Sequence, residues 1–257
     1  MNNRIASAAN TLLISSLAFS VLLGATSPAA TVDAAKSAAG ESAVLKNWPN
    51  LARYRAENAA VPPPKPGEKR VVFLGDSITD YWGRRHGVFF PGKPYFNRGI
   101  GGQTSDQMLL RFQADVVALR PYAVVIEGGG NDLRLGATDE EIEAQLTSLT
   151  QLASANGIRV VLASLTPVCD CFVPRTPSRP LSRLLAINRW IRQYTQQYTQ
   201  RHGYVYLDYW TPLADSQGMM RREYTIDGVH PNDAGYAPMA VAAEQAIRKA
   251  ETQPLKK

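Results

Sequence analysis

Val71-Val72-Phe73-Leu74-Gly75-Asp76-Ser77-Ile78-Thr79 is a short apolar run that breaks at a glycine into a polar triplet ending on serine. Four consecutive apolar residues bounded by glycine predict a strand buried on both faces, the kind found in parallel sheets. A serine at a strand-to-helix turn exposes its hydroxyl and lies near backbone N–H groups that have no helical partner. The same serine is equally an ordinary helix cap. The stretch therefore predicts a buried strand and leaves the role of Ser77 open.

Working outward, the same rhythm repeats. Tyr95 to Ile100 reads as a second, weaker strand. Met108, Leu109, Phe112, Val116 and Leu119 fall at helical spacing within 103–119. Ala123-Val124-Val125-Ile126 is a third strand. Thr138 with Glu141 forms a capping box that opens a helix through Ala155. Val160 to Ala163 is a fourth strand, 181–201 a helix closed by Gly203, and Tyr204 to Leu207 a fifth strand. Asn232 or Asp233 caps a last helix through Ala250. Upstream, Trp48 to Asn58 reads as a short amphipathic helix with Leu51 and Tyr54 on one side, followed by a proline-rich connector over 61–67. Strands alternating with helices predict an α/β fold with a parallel sheet covered on both faces. In such sheets ligands bind beyond the carboxyl ends of the strands, so chemistry belongs to the loops that follow them.

Those loops are distinctive. Strand two runs into Arg98-Gly99-Ile100-Gly101-Gly102-Gln103-Thr104, where close-spaced glycines let backbone N–H groups face a ligand. It matches neither a dinucleotide fingerprint nor a phosphate loop. Strand three ends in Glu127-Gly128-Gly129-Gly130-Asn131-Asp132, which puts the Asn131 amide near an approached backbone; an Asn-Asp pair is also a common turn. The most specific element is Asp227-Gly228-Val229-His230-Pro231. Pro231 restricts His230 to extended conformations, which brings the Asp227 carboxylate toward Nδ1 and leaves Nε2 free as a base. The chain has only two other histidines. His202 reads as a helix C-terminal residue and His86 lies in a polar loop. No His-Glu-x-x-His motif is present and soft ligands are few, so no metal and no cofactor are expected.

Composition narrows the class. Hydrophobic residues make up 45% of the 257 and charged residues 19%, which excludes a wholly disordered chain. The net charge of +6 is scattered. Its densest clusters are the pairs Arg84-Arg85, Arg221-Arg222 and Lys256-Lys257, and no nucleic-acid motif accompanies them, so no nucleic-acid partner is expected. Arg4, an apolar stretch over 12–23 and a run of small residues predict a signal peptide over 1–30, with cleavage around Ala29–Ala35. The apolar stretch is shorter than the roughly 20 residues a bilayer span needs. The expectation is an exported, periplasmic or secreted protein with no stable membrane insertion after cleavage. Residues 31–66 read as a linker and N-terminal helix.

Gly75-Asp76-Ser77, Gly102, Gly130-Asn131-Asp132 and Asp227-x-x-His230 occur in the order of the four motif blocks of the SGNH hydrolases, the GDSL esterase/lipase family, and span 71–235. The wording around Ser77 and Gly102 most resembles the platelet-activating-factor-acetylhydrolase-like branch. The resemblance implies a three-layer flavodoxin-like fold with a five-stranded parallel sheet over 67–252, and a metal-free ester hydrolase. It implies Ser77 as nucleophile, His230 as base, Asp227 as its orienting acid, and the Ser77 N–H, Gly102 N–H and Asn131 amide as oxyanion donors. The Thr166–Pro180 loop, with Cys169, Cys171 and four prolines, lies outside the family pattern. Its polarity and the signal peptide favour short-chain, acetyl-type esters on carbohydrate or small-molecule alcohols. An acyltransferase acting on a sugar hydroxyl, a lysophospholipase or lipase acting on lipids, and a catalytically silent surface-binding protein are the competing readings. Cys169 and Cys171 are read with even weight as a mutual disulfide or as free thiols.

Overall fold

The computed structural model describes residues 48–253. Five strands form one parallel sheet: β1 (Val71–Gly75), β2 (Tyr95–Gly99), β3 (Ala123–Ile126), β4 (Arg159–Ala163) and β5 (Val205–Leu207). Their spatial order is β2-β1-β3-β4-β5. After β1 the chain moves outward to β2 and then returns across β1 to β3. The reversal opens a crevice beyond the carboxyl ends of β1 and β3, where this topology binds ligands. The register aligns those ends: Gly75 pairs with Gly99, and Ile126 lies opposite both Leu74 and Leu162.

The helices are α1 (Arg55–Ala60), α2 (Ser77–Asp80), α3 (Ser105–Asp115), α4 (Gly130–Leu135), α5 (Asp139–Ala155), α6 (Leu181–His202), α7 (Trp210–Leu213) and α8 (Asp233–Thr252). α3, α5 and α6 pack side by side over one face, while α8 packs on β4 and β5 and on α7. The β1 and β3 strands are buried along their whole length, so their apolar runs have no polar side to alternate with. The capping box on α5 and the Asn232 cap on α8 form as the sequence predicts, the latter with Asn232 Oδ1 accepting from Gly235 N at 3.0 Å.

Two expectations shift. The helical pattern over 103–119 ends at Asp115, and a 3₁₀ turn over Val117–Leu119 carries the last apolar contacts into the core. The 48–58 helix is also displaced: 48–54 are turns and α1 begins at Arg55. Leu51 is exposed, whereas Tyr54 is buried and donates its hydroxyl to the Gly99 carbonyl. That hydrogen bond, Arg98 stacked over the Tyr54 ring at 4.7 Å and the Arg98 Nε bond to Asn58 Oδ1 at 2.8 Å hold the segment against β2 in place of an apolar stripe. The 1–30 reading and the part of 31–66 before Trp48 lie outside the described residues.

An aromatic cluster sits beneath the crevice. Trp82 stacks on Tyr236 at 5.0 Å between centroids, with Phe73, Phe89, Phe90 and Tyr209 around it. Tyr236 donates its hydroxyl to the Ile78 carbonyl at 2.8 Å. α8 thereby grips α2, the element that carries Ser77.

Candidate active site

β1 ends at Gly75 and the chain turns at once into α2. Asp76 caps that helix, with Oδ1 accepting from Ile78 N at 2.9 Å. Ser77 is the first helical residue. Its N–H and that of Gly102 have no hydrogen-bond partner among the described residues. Gly102 adopts φ +80°, the left-handed region open to glycine, at the point where the post-β2 loop turns toward α3. Close approach of the two loops depends on Gly99 as well, since a Cβ there would lie 2.1 Å from Asp80 N.

His230 arrives from the loop before α8. Its Nε2 lies 2.9 Å from Ser77 Oγ, and its Nδ1 lies 2.8 Å from Asp227 Oδ2. Asp227 Oδ1 accepts from Val229 N at 3.0 Å and from His230 N at 2.9 Å, so the carboxylate is fixed by the backbone of the residues it orients. Burial alone would raise the Asp227 pKa. The His230 and Val229 donors outweigh it and hold the carboxyl below the ordinary range, which keeps it ionised. Thr225 Oγ1 donates to the His230 carbonyl at 2.8 Å and accepts from Gly228 N at 2.9 Å, closing the loop on itself. Tyr81 packs against the imidazole at 4.8 Å. The other two histidines are elsewhere: His86 lies 3.5 Å from Asp233, and His202 packs among Tyr198 and Tyr204.

Asn131 sits in α4, a helical turn that the sequence reads only as a glycine-rich loop. Its Nδ2 donates to Asp76 Oδ2 at 3.1 Å and to the Gln103 carbonyl at 3.0 Å. Both amide hydrogens are therefore engaged in the resting site, and an oxyanion placed there has to share one with the Gln103 carbonyl. Ser77, His230 and Asp227 thus form one hydrogen-bonded line, Asn131 lines the cavity behind Ser77, and Gly102 follows Gly101, where a Cβ would lie 3.8 Å from that of Ser77.

Several neighbours carry no motif in the sequence. Glu127, at the end of β3, is 3% exposed, and its carboxyl meets that of Asp76. Two carboxyls in contact share a proton. Burial, and then the Asp76 charge, push the Glu127 pKa well above the carboxylate range, so Glu127 holds the proton and donates to Asp76. Its Oε2 is without a hydrogen-bond partner among the described residues. Arg179 Nη2 donates to Asn131 Oδ1 at 3.4 Å. Arg175 Nε donates to the Asp227 carbonyl at 3.1 Å, and its Nη2 lies 3.5 Å from Asp227 Oδ2. Both arginines belong to the Thr166–Pro180 loop. That loop also docks on the His230 loop through Cys169 N to the Gly228 carbonyl at 2.9 Å. Gly228 is at φ +91°, and a Cβ there would meet the Cys169 carbonyl at 2.4 Å. Cys169 and Cys171 are joined as a disulfide. Among the described residues no group of three His, Cys, Asp or Glu side chains is placed to hold a metal ion.

The profile of the GDSL-like lipase/acylhydrolase family matches residues 73–237, which takes in every residue of this crevice. The chain belongs to that family. Among solved structures, a candidate acylhydrolase of Bacteroides fragilis is 36% identical, with a TM-score of 0.73 over 79% of this chain and 97% of its own. A GDSL-like lipase of Bacteroides thetaiotaomicron is 37% identical, with a TM-score of 0.72 over 79% of this chain and 98% of its own. Esterase TesA of Pseudomonas aeruginosa is 38% identical over 69 residues, 27% of this chain and 34% of TesA. The matched stretch thus spans about a third of that relative. By family this GDSL-like protein is a carboxylic ester hydrolase, on the five-stranded α/β fold of its structural neighbours.

Proposed function

We propose that this GDSL-like hydrolase cleaves short-chain, acetyl-type esters by covalent catalysis at Ser77. The observation that carries the reading is the continuous line Asp227–His230–Ser77, closed at 2.8 and 2.9 Å, with the Ser77 and Gly102 N–H groups unpaired among the described residues. Ser77 Oγ attacks the ester carbonyl and His230 Nε2 takes its proton. Asp227 holds the proton on Nδ1 and stabilises the imidazolium. The carbonyl oxygen gains charge facing the Ser77 and Gly102 N–H groups and the Asn131 amide. His230 then protonates the leaving alcohol, and water, activated the same way, releases the acid.

Two features support the proposed substrate. The cavity behind Ser77, between Asn131, Thr166 and Val168, is about 20 Å³, the room of one water or a methyl group. A groove of about 610 Å³ starts at Gly102 and runs past the half-exposed Trp48 indole to Gln107, Glu141 and Gln145. An aromatic face beside amides and carboxylates suits a hydroxyl-rich alcohol such as a sugar. The signal-like 1–30 segment supports action outside the cytoplasm.

The test is turnover of nitrophenyl acetate and of acetylated sugars by wild type, Ser77→Ala and His230→Ala. Each variant is expected to lose nearly all activity while its melting temperature holds. Activity within tenfold of wild type in a folded variant would remove Ser77 or His230 from the mechanism.

A further inference from the structure

The crevice has an unbalanced charge. Asp76 sits within hydrogen-bonding distance of Asn131, so an oxyanion developing at the Asn131 amide forms beside a buried carboxylate. Like charges this close in a dry site repel strongly, and catalysis by a fixed donor set requires that the repulsion be offset. Among the residues lining the cavity behind Ser77, Arg179 is the cation. It is 8% exposed and has no carboxylate within salt-bridge distance among the described residues. Its hydrogen bond is the one to Asn131 Oδ1. A buried guanidinium without an ion-pair partner is costly to keep, and here it points at the site. Burial and the nearby Arg134 charge lower its pKa, Asp76 raises it, and a guanidinium stays protonated at ordinary pH.

The amide of Asn131 is therefore held at both ends, its oxygen on Arg179 and its nitrogen on Asp76. A reversed amide would put its nitrogen on the cation and its oxygen on the carboxylate, which both ends oppose. We propose that Arg179 is the positioning residue of the oxyanion site: it locks the Asn131 amide with Nδ2 toward the reacting carbonyl and supplies the positive charge that balances Asp76. The proposal rests on the ester-hydrolase reading and adds to it a group supplied by the Thr166–Pro180 loop.

A double-mutant cycle on Arg179 and Asn131 tests it, read by kcat, KM and thermal melting. Arg179→Met is expected to lower kcat by about tenfold or more with KM little changed, because the interaction it supports strengthens in the transition state. Arg179→Lys keeps the charge without the planar fork and should fall between Arg179→Met and wild type. In the Asn131→Ala background, Arg179→Met should cost less than about threefold, the mark of residues that act as a unit. Equal cost in both backgrounds overturns the proposal, as does an Arg179→Met enzyme with wild-type kcat. If Arg179→Met fails to fold, the Lys variant carries the cycle. The melting temperatures give the Arg179–Asn131 coupling without turnover. Non-additive melting shifts with no esterase activity in wild type would reject the hydrolase reading and leave the clamp standing, while additive shifts reject the clamp alone.

Discussion

At the residue scale the site divides into groups that meet the ester and groups that hold them. Asn131 belongs to the first kind in the proposed mechanism. Asn131→Ala is expected to lower kcat by about 10²–10³, the usual effect of losing one oxyanion donor, with a much smaller change in KM. A raised KM at constant kcat would make it a substrate-binding residue instead. Glu127 belongs to the second kind. A carboxyl whose pKa is raised in the folded state binds its proton more tightly there than in the unfolded chain. Its stabilising contribution is fully present below the ordinary glutamic acid pKa, and it is lost as pH rises toward the raised folded value. Glu127→Gln keeps a donor for Asp76 and cannot ionise. The melting temperature of the variant relative to wild type should therefore rise with pH across the interval between those two values. A difference that stays flat with pH would show that Glu127 is ionised in the folded protein. The Asp227–His230 contact was legible in the sequence because a proline and a three-residue spacing constrain it, whereas the strand end left Ser77 open and only the family resemblance singled it out. Glu127 was not legible, since one acidic residue at a strand end gives no sign of the carboxyl facing it from another strand.

At the element scale, the loops of the site are tied from below by Arg111 of α3. This fully buried guanidinium donates to the Gly75 carbonyl at 3.0 Å, the Arg98 carbonyl at 2.7 Å and Gln103 Oε1 at 2.6 Å. It also pairs with Asp115 at 3.1 Å. One side chain thus joins the carboxyl ends of β1 and β2 to the turn that carries Gly102. Arg111→Met leaves Asp115 buried without its cation and is expected to destabilise by about 3–5 kcal/mol in urea denaturation. A loss below about 1 kcal/mol, the scale of an exposed pair, would show that the brace is dispensable. The strands, the main helices and both confirmed caps followed from periodicity and capping residues, because those signals are local. The Thr166–Pro180 loop did not. Its arginines counted in the sequence only toward the polarity of the loop, and only the crossing of this loop over the His230 loop turns Arg175 toward Asp227 and Arg179 toward Asn131. The disulfide lies in the same clasp, and neither sulfur enters the Asp227–His230–Ser77 hydrogen-bonded line. Cys169→Ser with Cys171→Ser is therefore expected to retain Ser77-dependent turnover, and a folded double variant without it would give the cysteines a part in the chemistry.

At the scale of the whole molecule the question is where an acyl chain could go. A fatty chain needs a continuous apolar path from Ser77. The cavity behind the nucleophile is about 20 Å³ and has Glu127, Asn131 and Arg179 among its lining residues. The large apolar groove, about 590 Å³ between β5, α7 and α8, is lined by Tyr206, Leu207, Pro212 and Val241 and shares no residue with the site. Phe172 and Val173 of the Thr166–Pro180 loop are exposed and line neither cavity. The groove that does reach Gly102 sets Trp48, Leu135 and Ala137 among the amides and carboxylates of Gln107, Glu141 and Gln145. Were an apolar channel present, each CH₂ buried in it would add about 0.8 kcal/mol, or roughly fourfold in kcat/KM per carbon. A lipase of that kind climbs steeply from acetyl to octanoyl esters. The site described here should instead peak at about two to four acyl carbons and decline beyond, as the chain outgrows a pocket that cannot bury it. Measuring kcat/KM along a nitrophenyl ester series separates the two. A maximum at about eight carbons or more would mean that the Arg179 side of the cavity opens on substrate binding, and it would replace the acetyl-ester reading with a lipolytic one.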